Sequence, residues 1–212
     1  MLTSILNGTY PPGETLPSER ELAKQMGVTR PTLRETLKGL ASEGWVTIRQ
    51  GKPTVMNDYW KEGGLGLLST LSVYGEFLPE GFITNLLEIR VILFPAMGRL
   101  AARNAPEVLS DYLKGLEHLA EKAEVFAEYD WGLQVLMARN SDNPVFPLIL
   151  NDFALIFGNM ALPYFSRQKA RDVSRAYYQD LSEAINQGGE DVERVVRQVM
   201  EKSLEIWKGF KE

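Results

Sequence analysis

"SERELAKQMGVTRPTLRETLKGLASEGWVTIRQGKPTVM" spans Ser18 to Met56, and its punctuation spells two helices and a hairpin. Ser18 is a good helix N-cap, and Glu21 three residues on completes a capping box. Leu22 and Met26 lie one turn apart on one face, and Gly27 supplies the left-handed residue that ends the helix. A second helix follows almost at once. Thr29 caps it, and Pro31 is tolerated because first-turn amides need no intrahelical partner. Leu33, Leu37 and Leu40 form its buried stripe, and Gly44 closes it. In "WVTIRQGKPTVM" Val46 and Ile48 alternate with Thr47 and Arg49, the period of a half-buried strand. Gln50-Gly51-Lys52 turn it, and Thr54 to Met56 return.

Helix, turn, helix and a two-stranded wing make a winged helix-turn-helix. Arg30, Thr32 and Arg34 stand at the leading end of the second helix, opposite its leucines, while Arg49 and Lys52 stand at the wing tip. Such a helix fits the major groove of double-stranded DNA, and the cations lie where phosphates run. The charge balance agrees. The chain of 212 residues has net charge −5, yet residues 1–55 sum to +2 and residues 56–212 to −7. A basic small end on an acidic large end points to two domains with different partners.

Outward from this stretch, Ile5 and Leu6 sit on a short helix that "NGTYPPG" breaks. Leu65 to Tyr74 read as a short helix after the Gly63-Gly64 hinge. From Phe82 on, every segment reads as helix. Ile83, Leu86, Leu87, Val91, Phe94, Met97 and Leu100 line one broad face. Leu109, Leu113, Leu116 and Leu119 follow Pro106. "DWGLQVLMARN" reads as a shorter helix, and "LILNDFALIFGNMAL", after Pro144 and Pro147, is the most apolar. Two amphipathic segments close the chain, giving about six helices. The fold class is mainly α, an N-terminal winged helix-turn-helix plus a C-terminal all-helical bundle. The expected domains are 1–57 for DNA, 58–81 as a linker with a short helix, and 82–212 as the effector domain.

Several classes are set aside. Hydrophobic residues make up 44% of the chain, enough for a core, and there is no cysteine, so disulfides and thiolate metal sites are excluded. No stretch reads as the ~20 apolar residues of a membrane span, and the first residues lack the basic-then-apolar order of a signal peptide. A cytoplasmic protein without membrane contact is expected. There is no nucleophile elbow, Cys–His pair or facing carboxylate pair, so an enzyme is not expected. One histidine, His118, cannot build a three-histidine metal site. No cofactor is expected.

The stretch from Tyr10 to Met56 resembles the DNA-binding domain of the GntR family. "NDYW", "NLLEIR", "NPVFPLILN", "YFSRQKAR" and "SLEIW" follow in the order and spacing of its FadR type. The resemblance implies a homodimer on a short palindromic operator, regulation of fatty-acid metabolism by repression and activation, and release by long-chain acyl-CoA. It places Arg20, Thr29, Arg30, Thr32 and Arg34 at DNA, with Gly51 and Lys52 at the wing tip. Pro31 and Gln50 depart from the best-known pattern.

For the large domain it places Arg90, Phe157 and Tyr164 in the acyl-CoA pocket, with Arg197, Ser203 and Trp207 on the last helix. Phe157 stands in place of a tyrosine, and Met200 and Lys202 in place of glycine and glutamate. The residues alone leave simpler roles open. Arg90 leans toward the apolar face and needs a partner, which Glu88 or a carboxylate on another helix would supply. Ser203, in the stripe of Val192, Val196, Val199 and Ile206, would bond back to its own helix. Within the same family, a pocket for a different small organic acid is the competing expectation.

Overall fold

In the computed structural model, which describes residues 1–210, the chain forms two compact units, Met1–Leu78 and Pro79–Glu212. The first holds α1 (Leu2–Leu6), α2 (Glu19–Met26), α3 (Arg30–Ser42), strands β1 (Val46–Thr47) and β2 (Val55–Met56), α4 (Tyr59–Glu62) and α5 (Leu67–Val73). The Ser18 hydroxyl accepts from the Glu21 amide and the Glu21 carboxylate accepts from the Ser18 amide, so the capping box is formed. Gly27 has φ 65°, and the Val28 amide donates to the Ala23 carbonyl at 3.0 Å, which turns the chain sharply into α3. Leu22, Leu33, Leu37, Leu40, Trp45 and Met56 are buried together in this unit's core.

The wing is shorter than its alternation predicts. β1 and β2 pair antiparallel, Val46 with Met56 and Thr47 with Val55, and pairing stops before Ile48, which is exposed. The segment before α2 supplies a further rung on the far side of β2. Leu16 donates to Thr54, and Glu14 accepts from Met56, each at 2.8 Å. Those partners come from a stretch whose prolines read only as a break. Asn57 fastens the base of the wing, donating from Nδ2 to the Gly44 carbonyl at 2.9 Å and accepting from Thr47 Oγ1 at 2.7 Å.

The second unit contains α6 (Phe82–Asn104), α7 (Pro106–Leu113), α8 (Ala123–Arg139), α9 (Val145–Phe165), α10 (Gln168–Asn186) and α11 (Val192–Lys208), with no strand among its described residues. α6 and α11 share the most extensive packing. A Cβ on Gly98 would sit 2.9 Å from Val196 Cγ2, so only glycine allows that approach. Pro95 in α6 has no amide hydrogen to give the Val91 carbonyl. Nη1 of Arg197 on α11 reaches that carbonyl at 3.4 Å. α7 and α8 are clasped reciprocally: Tyr112 donates to the Tyr129 carbonyl at 2.9 Å, and Tyr129 to the Tyr112 carbonyl at 3.2 Å. Burial pushes both phenols up to about 12.

Three expectations are corrected here. The helix containing "DWGLQVLMARN" begins seven residues earlier, at Ala123, because "AEVFAEY" carries its own strong formers and the buried Phe126. Leu116 and Leu119 do not extend α7; a turn of 3-10 helix over Lys114–His118 intervenes after Leu113. α9, at 21 residues, is by length and composition long and apolar enough to cross a membrane, which the sequence reading did not allow. In this structure α9 is a bundle helix, with Leu150, Phe153, Ile156 and Phe165 buried.

Candidate DNA-binding surface and effector cavity

In the first unit, α3 presents its polar face around a single carboxylate. Glu19, at the start of α2, accepts from Arg34 Nε at 2.7 Å and pairs with Arg30 Nη2 at 3.7 Å. The bond to Nε orients the Arg34 guanidinium and does not engage its two terminal nitrogens, the fork that reads a guanine edge, on a side chain that is 58% exposed. Arg20 follows Glu19 on α2 and is exposed. Thr29 is occupied structurally. Its hydroxyl accepts from the Thr32 amide at 3.3 Å and lies 2.8 Å from the Thr32 hydroxyl. Gly51 has φ 70°, a left-handed conformation that forms the wing tip, and Lys52 beside it is exposed. α2 and α3 thus gather five of the seven expected residues, and the wing carries Gly51 and Lys52 separately. Glu19 was missed by the sequence reading, although the i, i+4 spacing of Arg30 and Arg34 beside an acidic helix start was its signal.

In the second unit, α6, α8, α9, α10 and α11 line a mostly apolar, partly open cavity of about 80 Å3. A single water needs ~10–15 Å3 by the same measure. Arg90, Phe157, Tyr164, Ser203 and Trp207 all line it. Arg197 does not. It lies on the flank of α11, bonded to Val91 and to Glu193 Oε1 at 3.2 Å. Ser203 does bond back to its own helix, donating to the Met200 carbonyl at 2.9 Å, and still faces the cavity. Phe157 stacks on Trp131 with centroids 4.7 Å apart.

Arg90 lies over the Phe94 ring at 5.1 Å. Glu88 is not its partner, for Glu88 pairs with Lys208 at 3.6 Å. The carboxylate that senses Arg90 is Asp130 on α8, in the same wall. Asp130 accepts from Tyr178 at 3.0 Å and from Gln134 Nε2. Burial holds Arg90 below the usual guanidinium value, with Asp130 opposing. It lifts Asp130 above the usual carboxylate range against the pull of Arg90. Burial and the Asp130 charge raise the Tyr164 and Tyr177 phenols as well. The sequence reading missed Asp130 and Gln134. Their signal was register: Phe126, Asp130, Leu133 and Met137 make one helical stripe, with Gln134 one residue beside Leu133, so both polar residues sit among core positions.

An exposed basic reading helix with a wing, followed by a helical bundle around an apolar cavity, defines a ligand-responsive DNA-binding regulator. Residues 1–56 match the family of bacterial regulatory proteins described as gntR, and residues 57–212 match the FadR C-terminal domain. The chain belongs to the GntR family of bacterial regulators, with a C-terminal domain of the FadR type, a family of transcription regulators and not of enzymes. It is 39% identical over 209 residues to the fatty acid metabolism regulator protein of Escherichia fergusonii, covering 98% of this chain and 87% of that one. The protein of the same name from Shigella boydii is 38% identical over the same shares. Among solved structures, Lar, which controls the expression of the Listeria monocytogenes agr system, aligns with a TM-score of 0.60. That likeness has 18% identity, over 97% of this chain and 91% of its own, and speaks for the fold alone.

Proposed function

We propose that this chain regulates transcription of fatty-acid metabolism in the cytoplasm, binding a palindromic operator as a homodimer and letting go when long-chain acyl-CoA enters the helical domain. The observation that carries this reading is the apolar cavity with Arg90 in its wall. A mostly hydrocarbon-lined space with one half-buried cation, its Nε fully buried, suits a ligand that is largely hydrocarbon with a polar functional group. The relatives named as fatty acid metabolism regulators support the same assignment.

On the DNA side, Arg30 and Arg34 read guanine edges, each bidentate pair discriminating by ~1–3 kcal/mol. Arg20, Thr29 and Thr32 assist at the groove, and Gly51 and Lys52 bring the wing to a phosphate or a minor-groove edge. On the ligand side, Phe157, Tyr164, Ser203 and Trp207 contact the chain. Arg197, outside the cavity, meets the CoA phosphates in exchange for Glu193. A gel shift on a fatty-acid promoter fragment, titrated with oleoyl-CoA, tests the whole reading. The retarded complex should dissolve as oleoyl-CoA rises. A complex that resists oleoyl-CoA and yields only to a simple organic acid overturns the effector assignment.

A further inference from the structure

The wall of the cavity around Arg90 holds polar atoms that nothing among the described residues satisfies: Nε of Arg90, the hydroxyl of Tyr164 and Oε1 of Gln134. Buried polar atoms are nearly always hydrogen-bonded, and each orphan weakens the fold. Three in one wall of one cavity mark the place where a ligand atom belongs. Arg90 and Tyr164 feel each other's charge and that of Asp130, and Gln134 is bonded to Asp130, so all three stand around one carboxylate. Gln134 donates through Nε2 to Asp130, which also holds Tyr178, so the amide is oriented and its oxygen is left over. Phe94 lies under Arg90 and fixes the guanidinium from one side.

The three atoms make a specific demand. Arg90 only donates, Gln134 Oε1 only accepts, and Tyr164 does either. A methylene chain answers none of them. A thioester carbonyl, a ketone or a carboxylate accepts from Arg90 and Tyr164 but has no hydrogen for Gln134. A hydroxyl accepts and donates at one atom.

We infer that this wall recognises a hydroxyl group carried on the acyl chain, so that the cavity prefers a hydroxylated acyl thioester to the unsubstituted chain of the same length. The inference rests on the acyl-CoA reading above and narrows its ligand class. Sites built to hydrogen-bond a ligand hydroxyl discriminate strongly against analogues that lack it, because the site's own polar groups are then stranded.

The test is calorimetric titration of the full chain with palmitoyl-CoA and with hydroxypalmitoyl-CoAs bearing the hydroxyl near the thioester, in mid-chain and at the far end. One positional isomer should bind at least about tenfold tighter than palmitoyl-CoA. That ratio should collapse toward unity in Gln134→Met and in Tyr164→Phe, each verified as folded by its thermal transition. Palmitoyl-CoA binding as tightly as every hydroxylated isomer would overturn the inference while leaving the acyl-CoA reading intact; an ordered water filling the wall would give that result. A preference that survives both variants would also overturn the assignment to these residues. Failure of every acyl-CoA to bind would end both readings.

Discussion

Glu19 of α2 holds Nε of Arg34 of α3 at 2.7 Å, tying the reading helix to the helix before it. A guanidinium fixed at Nε loses little freedom when its other nitrogens meet a base, so its ordering cost is met before DNA arrives. Glu19→Ala is expected to reduce the ratio of specific to non-specific DNA binding by about tenfold, a difference of ~1.4 kcal/mol. Removing the carboxylate also removes a like charge near phosphate, so non-specific binding should hold or rise. Fluorescence anisotropy on a duplex selected by the parent protein, against a scrambled duplex, checks this. An unchanged ratio would show that Arg34 needs no support.

Two glycines should respond to alanine in opposite directions. At Gly98 a methyl would strike Val196 at 2.9 Å and Met137 at 3.4 Å, and overpacking there should cost ~1–3 kcal/mol. Gly39, inside α3, has open space around it. Gly39→Ala should gain ~0.5–1 kcal/mol through helix propensity alone. The two lie in different units, so thermal unfolding resolved by unit is the appropriate measurement.

Asp130 gives a pH signature. Its folded-state pKa is raised by burial, despite Arg90, Tyr178 and Gln134 favouring the charge. An acid bound more tightly to its proton when folded stabilises the protein most below the ordinary carboxylate range, and that share is lost as pH rises through the folded value. The parent should lose this share of stability as pH rises above the ordinary carboxylate range, and Asp130→Asn should abolish that part of the slope. Urea midpoints across the range, parent against variant, decide it.

Trp207 stands in the cavity wall one turn beyond Ser203. Trp207→Ala should leave DNA affinity in place while raising the acyl-CoA concentration needed for release by about tenfold, since truncating a half-buried aromatic removes less contact than the ~3–5 kcal/mol lost at a fully buried one. Equal release curves for parent and variant would clear it of a ligand role.

The local grammar of α2 and α3 was written in the sequence: Ser18, Gly27, Thr29 and the leucine stripe of α3 each determine a neighbour's backbone, and each stands where its chemistry implies. The wing's true length was not, because Ile48 lies beyond the last rung and alternation does not encode where pairing stops. The strand-like rung at residues 14–16 depends on partners forty residues away. In the cavity, the apolar lining and Arg90 were visible by periodicity. Asp130 and Gln134 look like surface residues until α8 is placed against α10, where Tyr178 waits. The role of Arg197 was hidden for a similar reason: it answers a proline on another helix.

That proline has a mechanical corollary. Where Pro95 interrupts the ladder of α6, the loose carbonyl of Val91 is stitched to α11 through Arg197, and Gly98 seats the two rods a few residues further on. Sliding α11 lengthwise would unpick the stitch and drive Val196 out of its seat together. A guest in the chamber therefore meets two rods already fastened to each other at two points.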